Sequence, residues 1–264
     1  MSSIIQLWRI FYEKKVLVCI AVLVIPVIIL LVDHFLLKED IHLSYGYDTS
    51  SSWHEIVEHQ SEYPSSLIDL ALRNKETIPF VANYPTKHTQ DMVMNIQNDL
   101  KDNQMPLLLQ WDERWGYRYY GDQMMAINGC GPTCLSMVVS YLTQNGRYHP
   151  YYMAQYSEQN GYYSQDGTSW SFMIRGAQAC GVDAKQLSLD ENLIKEELMQ
   201  GHPIICSVSK GIFTMTGHFI VLSEYKNGKI RVLDPNSQKK SHYYSFDEFS
   251  NQIRNLWVYS RNSF

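Results

Sequence analysis

The chain has 264 residues, a formal net charge of −5 and 45% hydrophobic residues, with nine histidines and five cysteines. That length holds one enzyme-sized domain plus additional segments. An acidic balance with no basic tract argues against a nucleic-acid partner. Cys19, Cys130, Cys134, Cys180 and Cys206 form no C-x-x-C or Cys/His ladder, which argues against a disulfide framework or a structural metal.

In chain order, residues 1–15 are basic, with Arg9, Lys14 and Lys15 against Glu13. Residues 16–32 are an unbroken apolar run containing Pro26, and Phe35, Leu36 and Leu37 extend it past Asp33. The run sits at the lower limit for crossing a bilayer. The segment after it, Asp33-His34-Phe35-Leu36-Leu37, is too bulky for a signal-peptidase site, so an uncleaved transmembrane anchor at 16–37 is expected. The basic flank keeps residues 1–15 cytoplasmic and sends the rest outside, which predicts a single-pass protein of the cell membrane with an extracellular domain.

Residues 38–52 read as a polar linker and 53–105 as a helical extension. One helix is expected to start at Pro64 and run through Leu72. Prolines at 79 and 85 break the pattern, and a second helix is expected over 89–100 on Met92, Val93, Met94 and Ile96. Two readings of this extension stand: packing against the next domain, or covering its cleft.

The texture changes at Pro106, so 106–264 is read as the functional domain. Trp111, Trp115, Tyr117, Tyr119 and Tyr120 fit a substrate groove and core packing equally well. An apolar helical run follows Cys130, and a tyrosine-rich helix covers 151–156. Ser169 or Thr168 caps a helix that Gly181 ends, and another helix covers 191–199. Strands are expected at 203–208, 217–225, 230–235 and 256–259. Helices followed by an antiparallel sheet make an α+β fold.

The chemistry centres on Asn128-Gly129-Cys130-Gly131-Pro132-Thr133. A helix N-terminus carries about half a positive charge, which favours thiolate over thiol. Pro132 suits the first turn, and the flanking glycines allow close approach to the sulfur. A thiol nucleophile needs a base, and the base needs an orienting acceptor. Among the nine histidines only His218 opens an apolar strand behind a glycine, and Asp234 lies on the strand that returns.

The turn between those strands decides whether the two can meet. A two-residue turn at Asn227-Gly228 would set His218 opposite Ser237 and send Asp234 to the other face. A three-residue loop, Lys226-Asn227-Gly228 with Gly228 as a left-handed bulge, sets His218 opposite Asn236 and puts Asp234 on its face. The bulged loop is therefore expected. Asn236 competes with Asp234 for the orienting role. Gln110, Gln123, Asn128 and the Cys130 amide all remain open as oxyanion donors.

These stretches resemble the papain-like cysteine peptidases of family thirty-nine, in their stand-alone C-39-like branch. The resemblance rests on Gln110-Trp111-Asp112-Glu113-Arg114-Trp115, the Cys130 hexapeptide, Asp166-Gly167-Thr168-Ser169, Gly201-His202-Pro203-Ile204, Gly217-His218-Phe219-Ile220-Val221-Leu222 and Asp234-Pro235, and spans about 106–260. It implies a papain-like fold with Cys130 as nucleophile, His218 as base, Asp234 as orienter and Gln110 as oxyanion donor, following the one transmembrane helix expected from residues 16–37. Relatives fused to peptide exporters cut leaders after a double glycine; no ATP-binding motif appears in this chain, so that substrate is not implied.

The resulting expectation is a membrane-anchored thiol peptidase acting on a peptide or protein through an acyl-enzyme, with no cofactor, no metal and no nucleic acid. Two other readings use the same residues. One is an acyltransferase or transglutaminase-like enzyme sharing the thioester, and the other is a non-catalytic surface binding module.

Overall fold

The computed structural model describes residues 43–262 except Asn103 and Asp166. The segments expected at 1–15 and 16–37 and the start of the linker lie outside the described residues. Among those described, no helix is long and apolar enough to cross a membrane. Contacts divide the chain between Tyr47 and Asp48, and every element below belongs to the unit that begins at Asp48.

The extension is a string of short helices. In α1 (Ser51–Glu58) the Ser50 side chain caps the first turn by accepting from Trp53 N–H, and Trp53 and Ile56 bury one face. α2 (Ser65–Arg73) follows Pro64 and buries Leu67, Ile68, Leu70 and Ala71. Pro79 and Pro85 do not break helices here. Each sits in the first turn of a short one, α3 (Ile78–Ala82) and α4 (Tyr84–Lys87), where a missing N–H removes no intrahelical bond. The helix expected over 89–100 does not form, and only a single turn exists at Gln97–Asp99. Exposure alternates along 91–96, and the fully buried Ile96 donates its N–H to Gly146 O at 3.0 Å. Met92, Met94 and Ile96 turn inward while Val93 faces out, a period of two, that of extended chain.

The remaining elements run in the order β1 (Tyr119–Tyr120), β2 (Gln123–Met124), α5 (Met125–Asn128), α6 (Cys130–Thr143), α7 (Pro150–Gln159), β3 (Tyr163–Ser164), β4 (Gly167–Thr168), α8 (Trp170–Ala179), β5 (Val182–Leu187), α9 (Glu191–Met199), β6 (Ile204–Ser209), β7 (Gly217–Lys226), β8 (Lys229–Leu233), β9 (Tyr243–Tyr244), α10 (Phe246–Phe249) and β10 (Ile253–Arg261). Six of the strands form one antiparallel sheet in the order β5-β10-β6-β7-β8-β9. Edge strand β5 was not expected: Val182 is its only buried residue, so it carries no apolar signal.

Alternation along the strands divides the core into two layers. Ile205, Phe219, Val221, Trp257 and Tyr259 face α6, α7 and α8. Cys206, Ile220, Leu222, Val232, Leu256 and Val258 face α9 and α10. The sheet is thus covered on both faces, in keeping with the α+β expectation.

The β7–β8 hairpin differs from the expected loop in a way that matters for the site. Lys226 pairs with Lys229 across a two-residue Asn227-Gly228 turn, and both turn residues have positive φ, 52° and 78°. That is the type I′ conformation favoured by the strand twist. Pairing continues through Tyr225 with Ile230 and Glu224 with Arg231, then shifts so that Leu222 pairs with Val232. Ser223 is the extra residue, a bulge inside the strand, with its Oγ donating to Arg231 O at 3.4 Å. The one-residue offset needed to bring Asp234 to the face of His218 therefore exists, but it comes from Ser223 and not from the loop.

Candidate active site

The site is built at the N-terminus of α6. Gly129 is the cap residue, its carbonyl taking Thr133 N–H at 3.0 Å. Cys130 opens the helix, partly exposed, with Pro132 buried in the first turn. Gly131 permits a close approach: a Cβ there would lie 2.8 Å from Thr168 Oγ1. Thr168 is held in turn by Tyr120, whose hydroxyl bonds Thr168 Oγ1 at 2.9 Å and Ser157 Oγ at 2.8 Å. Thr168 belongs to a stretch that carries the resemblance and was the alternative to Ser169 as a helix cap. That cap is Ser169, whose side chain accepts from Ser171 N–H. Asp166 of the same stretch lies outside the described residues.

The structure brings Cys130, His218 and Asp234 together. His218 Nε2 donates to Asp234 Oδ1 at 2.7 Å, with both residues buried. Cys130 and His218 line one cleft, and the His218 ring with the Phe219 and Gly131 backbones acts on the thiol to favour its charged form. With Nε2 taken by Asp234, Nδ1 is the ring nitrogen that serves the sulfur. β8 ends at Leu233, and Asp234 opens a tight turn, so Asn236 is not a ladder partner of His218. Instead, Asn236 N–H donates to Asp234 Oδ1 at 2.8 Å and Asp234 N–H to Ser241 Oγ at 2.9 Å. Asn236 thus supports Asp234 through its backbone and does not compete with it.

Burial raises a thiol and lowers an imidazole. At Cys130 burial is the largest single influence, yet the bond and charge of His218, with the Phe219 and Gly131 amides, outweigh it and bring the thiol below its ordinary value. At His218 burial again opposes, but the Asp234 carboxylate and then Cys130 raise the ring to about 10. Each partner favours the charged form of the other. The remaining described cysteines behave oppositely: burial pushes Cys134 and Cys206 well above the ordinary thiol value and Cys180 to about 11. Low reactivity follows for all three.

Gln110 is almost fully buried near Cys130. Its Nε2 donates to Ala126 O at 2.8 Å and to Ile127 O at 3.2 Å, while its Oε1 is buried without a hydrogen-bond partner. In this state both amide hydrogens strap the turn that leads into α6. The Gln110 backbone N–H donates to Pro235 O at 2.7 Å, which ties the domain's first strand-like segment to the Asp234 turn.

A cleft of about 550 Å³ opens over these residues. Cys130, His218 and Gln110 are at its base, the 211–216 loop forms one wall, and Leu70, Arg73, Asn74 and Glu76 of the extension form another. The extension therefore flanks the cleft, and Cys130 keeps exposed surface beneath it. The apolar wall comes from Ile212 and Met215, which are 37% and 70% exposed. Trp115 and Tyr120 have no exposed surface, and none of the five aromatic residues considered for a groove lines the cleft. They are packing residues, apart from Tyr119 at the surface and Trp111, whose indole N–H donates to Asn236 O at 2.9 Å. Among the described residues no cluster of His, Cys, Asp and Glu is arranged to hold a metal ion.

A family model described as Peptidase_C39 like family matches residues 102–263. Among solved structures, the chain is similar to the peptidase domain of Streptococcus ComA, a bi-functional ABC transporter, at 22% identity over 51% of this chain and 92% of that one, with a TM-score of 0.42. It is similar to a C39-like peptidase from Bacillus anthracis at 13% identity, covering 65% and 98% of the two chains, with a TM-score of 0.40. A third similar structure is a double glycine motif protease from an AMS/PCAT transporter in complex with its leader peptide, at 19% identity over 49% and 85%, with a TM-score of 0.34. No match was found among curated proteins. With more than half of its residues inside the family match, the chain belongs to the Peptidase_C39 like family, papain-like cysteine peptidases in kind.

Proposed function

We propose that the protein is a thiol peptidase that hydrolyses peptide bonds through Cys130, His218 and Asp234, tethered to the cell membrane by residues 16–37 with its domain outside. The observation that carries this reading is Cys130 lining one open cleft with His218, whose ring is hydrogen-bonded to the buried Asp234. Cys130 Sγ attacks the scissile carbonyl, and the C–N bond breaks as His218 gives its proton to the leaving amine. Water then attacks the thioester, His218 takes its proton, and the acid product leaves with Cys130 restored. Asp234 holds the ring and stabilises the imidazolium. The oxyanion meets the Cys130 amide, in the first turn where helix N–H groups lack intrahelical acceptors. Gln110 Nε2 is the second donor, exchanging its longer bond to Ile127 O for the oxyanion.

Peptide-library digestion by the wild type and by Cys130→Ala tests this. Cleavage by the wild type alone is expected. Equal cleavage by both, or none by either, removes the assignment. Surface labelling of intact cells tests the sidedness, and a domain protected until the cells are opened rules out the extracellular placement.

A further inference from the structure

Asp234 has one buried oxygen, Oδ2, without a hydrogen-bond partner, and its other oxygen is shared between His218 Nε2 and Asn236 N–H. A buried carboxylate with one unsatisfied oxygen is held to its imidazole by few hydrogen bonds, so its position depends on the backbone that carries it. The backbone in question is the 234–240 turn. Within the matched domain, that turn is held by Trp111 Nε1 donating to Asn236 O and by Gln110 N–H donating to Pro235 O.

The rest of the clamp comes from the end of α2 and the single turn Lys75–Thr77, which precede the family match at 102–263. Asn74 Nδ2 donates to Asn236 O at 2.6 Å, while its Oδ1 accepts Glu76 N–H at 3.1 Å. The Glu76 carboxylate accepts three donors from the turn: Ser237 Oγ–H on Oε1, and the N–H groups of Gln238 at 2.9 Å and Lys239 at 3.1 Å on Oε2. Charge-assisted bonds of this kind are about twice as strong as neutral ones, and three of them converge on one side chain.

We infer that Glu76 and Asn74 are positioning residues for the His218–Asp234 pair, so that the segment ahead of the family domain is a working part of the site. This rests on the peptidase reading for its catalytic meaning. The chain of contacts runs from Glu76 through the Ser237 turn to Asn236, from Asn236 N–H to Asp234 Oδ1, and from Asp234 to His218. The charged groups acting on His218 are Asp234 and Cys130.

The test uses the full-length protein carrying Glu76→Ala or Glu76→Gln, with Glu62→Gln, an exposed change in the same extension, as control. Two readouts are taken: steady-state cleavage of fluorescently quenched casein, and titration of the His218 ring by NMR on protein with 15N-labelled histidine. Glu76→Ala is expected to lower kcat about tenfold or more with KM changed less than about twofold, as loss of a transition-state contribution requires. Its His218 midpoint is expected to fall below that of the wild type. Glu76→Gln keeps one acceptor for Gln238 and Lys239 N–H, turns the other into a neutral donor facing Ser237 Oγ, and is expected to fall between; the control matches the wild type.

An unchanged His218 midpoint overturns the inference, including where kcat falls, because a side chain that only packs or lines the cleft would leave the ring unaltered. Should Glu76→Ala not fold, Ser237→Ala removes one of the three donors and is judged by the same readouts. Should the wild type fail to cut casein, the peptidase reading is what suffers, and the His218 titration still decides the latch.

Discussion

His218 Nε2 and Asp234 Oδ1 lie 2.7 Å apart with no exposed surface on the carboxylate, and this bond fixes which ring nitrogen is left for Cys130. A carboxylate only accepts, so Nε2 carries the proton and Nδ1 faces the sulfur. Asp234→Ala is expected to lower kcat/KM on the order of 10²–10⁴-fold, the range for a misplaced general acid–base. Removing one partner of a buried pair also destabilises by about 3–5 kcal/mol. The pH dependence has a definite sign. Because His218 is raised from 6.5 to about 10, its pairing stabilises the fold fully below pH 6.5 and is lost as pH rises through about 10. Chemical denaturation of wild type and Asp234→Asn should therefore differ most near pH 6 and converge above pH 10. A gap that widens with pH would contradict the pairing.

The Cys130 thiol, which burial raises but His218 and the Phe219 and Gly131 amides bring below its ordinary value, should be alkylated by iodoacetamide faster at neutral pH than an ordinary thiol, with the rise in its rate moved to lower pH. An ordinary thiol is only a few per cent ionised at pH 7. His218→Gln should accordingly reduce the alkylation rate at pH 6.5 by about 10–100-fold and move its rise toward the ordinary thiol range. Mass spectrometry reports which cysteine reacts; preferential labelling of Cys180 in the wild type would argue against the site.

Deleting Ser223 tests how the histidine and aspartate come to share a face. If Ser223 stayed in regular pairing, Leu222 would meet Leu233 and Asp234 would turn to the layer of Phe219 and Val221; with Ser223 deleted, regular pairing sets Leu222 opposite Val232, the register already present. The deletion is therefore expected to keep Cys130-dependent cleavage, and Ser223→Ala, which keeps the extra residue and loses only the 3.4 Å bond to Arg231 O, is expected to stay within about twofold of wild type. Loss of activity in a folded deletion variant would show that the bulge itself, and not only the register it sets, is needed.

This hairpin also shows where legibility ended. The Asn227-Gly228 dipeptide signals a two-residue turn, and His218 and Asp234 require an offset of one. A three-residue loop would reconcile the two. The chain keeps the favoured turn and places the extra residue at Ser223, where no local signal marks it. Val232 and Leu233 are both apolar and the sheet is buried on both faces, so β8 accepts either register as far as hydrophobicity goes. Cys130 and Pro132 were readable because helix-start chemistry is local. The supports of Asp234 from Asn74, Glu76 and Trp111 were not, because they join residues more than a hundred positions apart. The failed helix at 89–100 has a plain cause as well: four apolar residues in a short window fit two periods, and burial chose the extended one.

Gly131 and Thr168 should behave as a coupled pair. The Cβ of Gly131→Ala would lie 2.8–2.9 Å from three Thr168 side-chain atoms, which tilts the helix mouth or displaces Thr168 from Tyr120. Alkylation of Cys130 is expected to slow about tenfold in Gly131→Ala, since overpacking of this kind costs about 1–3 kcal/mol. Adding Thr168→Ala removes two of the three clashing atoms and should recover part of that loss. Additive losses in the double variant would mean that the two residues do not press on one another.

Gln110 separates two roles that a single activity measurement would merge. In the resting state its amide hydrogens are committed to Ala126 O and Ile127 O, so it straps the turn that aims α6. In the proposed reaction it also donates to the oxyanion. Gln110→Ala deletes both contributions, but they appear in different experiments. Loss of an oxyanion donor costs about 10²–10³-fold in kcat and leaves the resting thiolate untouched, so iodoacetamide would alkylate Cys130 at the wild-type rate. Loss of the strap shifts the helix mouth against His218 and the Phe219 amide, so alkylation and cleavage would fall together. The expected result is the first: a kcat reduced about 100-fold or more with the alkylation rate held within about twofold. Parallel losses would assign Gln110 to the strap and leave the Cys130 amide as the oxyanion donor.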